Sequence, residues 1–174
     1  MGIARLFKSA ALAVVIAGAG VPAALAATFN GIFSLSGSSF SEPGLVMATS
    51  TQTGSVSFQL DTVGQSVTFD LFDIWATERR ANGNNTRTSS LVAAFDFAGI
   101  GASGSATGST AGHGGLIQYA SLAWGAPVLL NFGNGGVLSL VLCDANFCYG
   151  VLGFGLGLAN GATILATATL VATP

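Results

Sequence analysis

The feature that most constrains this chain is an alternation of period two. In Val56-Ser57-Phe58-Gln59-Leu60, and again in Val67-Thr68-Phe69-Asp70-Leu71, large apolar residues take every second position and polar residues take the rest. Successive side chains of a strand point to opposite faces, so the pattern specifies strands buried on one side. A helical period is hard to find anywhere after residue 26. β-Branched and aromatic runs bounded by Gly, Ser, Asn and Asp predict strands over Thr28–Leu35, Leu45–Ala48, Ser55–Leu60, Ser66–Leu71 extending towards Thr77, and Leu91–Phe97. Further strands are predicted over Ser103–Thr110, Leu116–Trp124, Val128–Phe132, Gly136–Leu142 and Ala162–Ala172. So many short strands give the expectation of an all-β fold, an antiparallel β-sandwich or jelly-roll-like domain. Asp61-Thr62-Val63-Gly64 reads as a turn that would join the two alternating segments into one hairpin.

The residues ahead of this pattern are of another kind. MGIARLFKSAALAVVIAGAGVPAALAA carries Arg5 and Lys8, runs apolar from Ala10 to about Ala19, is broken by Pro22 and reaches Ala24-Leu25-Ala26. A positive start, a short apolar stretch and a small-x-small ending are the marks of a secretory signal peptide. A retained membrane helix needs roughly 20 apolar residues, which this interrupted run does not supply. The expected organisation is a signal peptide over 1–26 and a single β-rich domain over 27–174, with no transmembrane helix in the mature chain. The expected address is secreted, extracellular or at the cell surface.

Charge narrows the function classes. Charged residues make up only 7% of the chain, against roughly 25% in an average soluble domain. Without the leader, Arg79, Arg80 and Arg87 face seven acidic residues, which leaves no basic patch for nucleic acid. All three arginines fall within Thr77–Arg87, which reads as a solvated loop, and its Asn84-Asn85-Thr86 sequon reads as a coincidence beneath a bacterial-looking leader. A surface of Ser, Thr, Asn, Gly and Ala is prone to self-association. The apolar segments Val137–Leu142 and Thr163–Ala172 are of the sort that pair at an exposed strand edge.

Chemistry-bearing residues are few. Cys143, Cys148 and the lone His113 cannot complete a four-ligand zinc site, and the spacing is not that of a C-x-x-C redox pair. A staple fits better: a strand ending at Leu142, a turn over Asp144–Phe147 and a returning strand would oppose Cys143 and Cys148 for a disulfide. Such a short loop would stabilise by roughly 2 kcal/mol in an oxidising compartment. His113 reads as an exposed loop residue, and no G-x-S-x-G elbow surrounds any serine. Asp70 and Asp73 should point to opposite faces unless a bulge intervenes; with Asp96 or Glu78 they are the candidates for calcium ligands. Trp75 and Trp124, with Phe69, Phe72, Tyr119 and Tyr149, could form an aromatic platform for a sugar ring, although aromatics in all-β domains more often belong to the core. The low-complexity stretch Gly99–Gly115 reads as a flexible loop or mobile edge, and Val151–Leu158, alternating bulky residues with glycine, as a strand with one bare face or an irregular loop.

The run Trp124-Gly125-Ala126-Pro127-Val128-Leu129-Leu130-Asn131-Phe132-Gly133-Asn134-Gly135-Gly136-Val137-Leu138-Ser139-Leu140, the Cys143-Asp144-Ala145-Asn146-Phe147 that follows and the terminal Ala166-Thr167-Ala168-Thr169-Leu170-Val171 resemble the distal half of ectodomains in the PEP-CTERM exosortase-substrate group. Those are exported β-rich proteins of biofilm-forming bacteria. The chain stops at Pro174 without the V-P-E-P box, apolar helix and basic end of that group, so the resemblance implies no sorting or anchoring, only a surface or matrix protein without known catalysis. The expectation is an exported, non-enzymatic structural or adhesive protein of the bacterial cell surface, biofilm matrix or an extracellular filament, without a cofactor. Two alternatives stand beside it. One is a carbohydrate- or calcium-dependent binding module taking an extracellular glycan, and the other is a small outer-membrane β-barrel, suggested by a mean hydropathy of +0.68.

Overall fold

The computed structural model describes residues 27–78, 81, 83–151 and 160–174. Residues 1–26, expected to be a signal peptide, residues 79, 80 and 82, and residues 152–159, which hold the glycine-alternating segment after Val151, lie outside the described residues. The strands are β1 (Ala27–Ser36), β2 (Met47–Thr49), β3 (Thr53–Leu60), β4 (Ser66–Ala76), β5 (Ser89–Phe97), β6 (Ala102–His113), β7 (Ile117–Trp124), β8 (Val128–Phe132), β9 (Gly136–Leu142), β10 (Ala145–Val151) and β11 (Ala162–Ala172). They form a six-stranded sheet ordered β10-β7-β6-β5-β1-β3 and a five-stranded sheet ordered β2-β4-β11-β9-β8. Every pairing is antiparallel. The two sheets pack face to face, which is the β-sandwich that the alternation predicts.

Alternation builds the core directly. Phe29, Phe33 and Leu35 of β1, Val56, Phe58 and Leu60 of β3, and Leu91, Phe95 and Phe97 of β5 are buried, while most of the residues between them are exposed and polar or small, with Ile32 as an exposed apolar exception. Phe29 stacks on Phe58 at 5.4 Å and meets Phe132 edge-on at 5.5 Å, and Phe58 stacks on Phe69 at 5.5 Å. These rings come from β1, β3, β4 and β8, so one aromatic cluster locks both sheets together. Each such side chain contributes roughly 1.5–3 kcal/mol by burial alone. The outward rows are tied by polar rungs: Ser57 Oγ donates to Asn30 Oδ1 at 2.7 Å, and the hydroxyl pairs Ser66–Thr169 and Thr68–Thr167 lie at 2.7 and 2.8 Å. Apolar-in and hydroxyl-out is the reverse of the lipid-facing pattern, and the sheets keep open edges, so the architecture is not that of an outer-membrane barrel.

Four local expectations are corrected. The segments around Val56–Leu60 and Val67–Leu71 do not make a hairpin, because β3 pairs with β1 while β4 pairs with β11 and β2. The intervening turn is an arch between sheets, and it is anchored where Gly64 N donates to Leu170 O and Leu170 N donates to Gln65 O. The low-complexity stretch is neither loop nor edge: β6 runs for 12 residues with β5 on one side and β7 on the other. Its inward positions Ala102, Gly104, Ala106 and Gly108 are small because large neighbours reach into them. A Cβ on Gly104 would lie 2.7 Å from Leu130 Cδ2, and one on Gly108 would lie 2.8 Å from the Trp124 ring. Val137–Leu142 and Thr163–Ala172 belong to β9 and β11, which are internal strands of the five-stranded sheet and present no edge. Finally, Ala145–Val151, expected as a turn and the start of a returning strand, is a strand of its own in the other sheet.

Candidate functional site

The cysteine staple does not form. β9 ends in the five-stranded sheet, whereas β10 pairs with β7 in the six-stranded one, so the chain between Cys143 and Cys148 crosses the sandwich instead of folding back. No disulfide joins the two residues. Cys143 is exposed, with its N–H donating to Leu165 O at 3.0 Å. Cys148 is buried at a bulge in β10, holds a left-handed φ of 58°, and its Sγ accepts the Ala76 N–H at 3.3 Å. Asp144 closes the end of β7, where its Oδ1 accepts the Trp124 N–H at 2.6 Å.

The candidate ligand residues divide between the two outer faces. β4 carries a bulge, seen as a register shift where Ile164 opposes Phe72 but Leu165 opposes Asp70. One extra residue inverts the side-chain parity. Leu71 and Phe72 are therefore both buried, and Asp70 and Asp73 both emerge on the outer face of the five-stranded sheet. Trp75, the next position of the same parity as Asp73, is half-buried against the rim of the core.

Two shallow depressions meet here. One, of about 390 Å³, is lined by Ser50, Asp70, Asp73 and Thr163; the other, of about 190 Å³, is lined by Asp73, Trp75, Gly161 and Thr163. Asp73 and Thr163 belong to both, which makes one open groove. Asp73 is held in place: its Oδ1 accepts from Thr163 Oγ1 at 2.6 Å, its N–H donates to Ser50 Oγ at 2.9 Å, and its carbonyl accepts the Ser50 N–H at 2.9 Å. Carboxylate oxygens and hydroxyls beside an indole can hydrogen-bond a polyol while the aromatic surface takes its C–H face.

The remaining candidates lie elsewhere. Asp96 emerges on the outer face of the six-stranded sheet, opposite Ile32 and Ser103, and therefore cannot join Asp70 and Asp73 around one ion. Glu78 is bonded to Asn85 Nδ2, and among the described residues no three His, Cys, Asp or Glu side chains gather as an ion site. Trp124 shares its parity with buried Ala120 and Leu122, and its ring covers Gly108 on the inner side, so it is core packing and no platform. The Thr77–Arg87 loop is less solvated than expected: Asn85 is buried and its carbonyl accepts the Gly112 N–H at 2.8 Å.

His113 is not the isolated loop residue that its glycine-rich surroundings suggest. It closes β6, stacks on Tyr119 at 4.2 Å and 10°, and bonds Ser121 Oγ through Nε2 at 2.8 Å; Tyr119 in turn stacks on Tyr149 at 5.7 Å. The two tyrosines of the candidate sugar platform are thus engaged with each other on the opposite sheet from Trp75. No family model, curated protein or solved structure matches this chain.

Proposed function

We propose that the chain is an exported, non-enzymatic structural or adhesive protein of the bacterial cell surface, biofilm matrix or an extracellular filament. The observation that carries this reading is the character of the two outer faces. They carry rows of Ser, Thr, Asn and small residues, cross-linked by hydroxyl rungs and interspersed with exposed apolar side chains such as Ile32, Leu129 and Val141, with Asp70, Asp73 and Asp96 as the charged side chains that emerge from their described strands. Such surfaces are weakly hydrated, and they suit close contact with neighbouring polymer or protein better than free diffusion in a crowded compartment. The leader and the resemblance to exosortase-substrate ectodomains point the same way. The test is a deletion of the gene in its bacterial host followed by add-back of the purified protein. A fall in biofilm cohesion or surface attachment that the added protein restores supports the reading; unchanged cohesion with a lost metabolic conversion overturns it.

A second reading is favoured by one observation, the β4 bulge that sets Asp70, Asp73 and Trp75 along a single groove. In this reading the protein adheres by binding an extracellular glycan there. Trp75→Ala would remove the stacking surface and weaken glycan capture about tenfold or more, and Asp70→Asn would weaken it without altering the fold. Equal capture by the wild type, Trp75→Ala and Asp70→Asn would retire the groove.

A further inference from the structure

We propose that β3 is the edge through which this protein pairs with a second copy of itself, strand to strand about a two-fold axis, continuing the six-stranded sheet. Among the described residues the sheets end in β3, β10, β2 and β8, and two inner strands outrun their neighbours, β4 over residues 66–72 beyond β2 and β6 over residues 102–106 beyond β7. The β4 flank carries Asp70 and the bulge, and the β6 flank spans only five residues. Of the four outermost strands, three are guarded. β2 has 3 residues and β8 has 5, and β10 is broken by the bulge between Phe147 and Gly150. Short, bulged edges resist strand addition.

β3 has none of these devices. It runs for 8 residues, Thr53-Gly54-Ser55-Val56-Ser57-Phe58-Gln59-Leu60, in unbroken register from Ala27↔Leu60 to Ser34↔Thr53. It holds no proline and no charged residue, so nothing on the strand repels or blocks a neighbouring backbone. This is independent of whether the protein binds a glycan.

The occupant follows from the strand's own chemistry. An uncharged edge gives a charged partner nothing to select, whereas a two-fold axis makes pairing antiparallel and sets each row against itself. Opposed residues in an antiparallel pair share a face. The outward Ser55, Ser57 and Gln59 would therefore meet hydroxyls and amides of their own kind, and the inward Val56 and Phe58 would meet apolar residues. The outward row already ends in such rungs: Ser57 donates to Asn30 at 2.7 Å and Gln59 Nε2 to Thr28 Oγ1 at 3.2 Å. A second β3 would carry the same ladder across the axis.

The experiment compares molecular mass by light scattering over a concentration series for the exported wild-type protein, Ser57→Lys and Ser109→Lys. Ser57 and Ser109 are both exposed and outward, but Ser109 of β6 is paired on both sides, with Ser90 of β5 and Ala123 of β7. Lysine on β3 would face its own copy across the axis and repel it. The expected result is a wild type that doubles in mass and stops there, the same doubling in Ser109→Lys, and loss of the doubling in Ser57→Lys with unchanged melting. Ser55→Lys is the second variant on the same row and should read alike. A wild type that stays single at every concentration, one that grows without stopping at two copies, or a dimer equally strong in Ser57→Lys overturns the proposal.

Discussion

Replacing Gly108 by alanine tests the idea that the low-complexity strand is small so that the sandwich can close over it. Gly108 is buried on β6, and a Cβ built there would lie 2.8 Å from Trp124 Cε3 and 2.9 Å from Leu122 Cδ1. Its φ is not in the left-handed range, unlike that of Gly101 or Gly135, so the backbone accepts alanine and the effect is steric. Overpacking a tight core costs about 1–3 kcal/mol. Alanine restricts the unfolded chain and returns about 0.4–1 kcal/mol. The net destabilisation at mid-range is about 1.3 kcal/mol, and at about 2–4 °C per kcal/mol for a domain of this size the melting point falls by roughly 3–5 °C. Thermal unfolding followed by circular dichroism reads it, with Gly99→Ala, where the added Cβ meets nothing within 4 Å, as the control. Trp124→Phe should relieve the clash, so the double variant loses less than the two singles added together. The buried Trp124 Nε1 has no hydrogen-bond partner to forfeit. Gly108→Ala melting at or above the wild type, with no coupling to Trp124, would refute the reasoning.

Phe29→Ala removes the ring shared by Phe58 and Phe132 and should cost about 3–5 kcal/mol, measured by denaturant unfolding; a loss below that of an exposed-site control would contradict the core assignment. In the native protein Cys143 should react with a thiol reagent while Cys148 reacts only after unfolding, since one is exposed and the other buried. Mass spectrometry before and after denaturant counts the labels. Melting should not shift when a reductant is added.

The alternation made the sandwich legible, because a buried face every second residue leaves little else for such segments to do. What it could not say was which strands are neighbours. Val56–Leu60 and Val67–Leu71 look like the two arms of a hairpin, yet the arch between them is fixed by bonds from Gly64 and Gln65 to Leu170, far away in sequence. The cysteine staple failed for the same reason: local spacing cannot tell a turn from a crossing between sheets. The β6 strand was legible over Ser103–Thr110, but its glycines made the stretch around it read as a loop or mobile edge; their value lies in the Trp124 and Leu130 side chains that fill their places. One signal was there to be read. The adjacent Leu71 and Phe72 break the period of two, and that change of phase is the bulge that brings Asp70 and Asp73 to one face. Asp96 and Trp124 carry no comparable mark, because their separation from the groove is set by sheet membership.

The central claim is that the folded domain acts outside the cytoplasm as a surface or matrix component. Fractionating the host bacterium, with mass spectrometry of the chain's first residue and immunogold microscopy of intact cells, tests it most directly. The account predicts a chain beginning at or near Ala27, recovered from the medium or labelled on the cell surface and its extracellular material. A chain still beginning at Met1 and confined to the cytoplasm would contradict it.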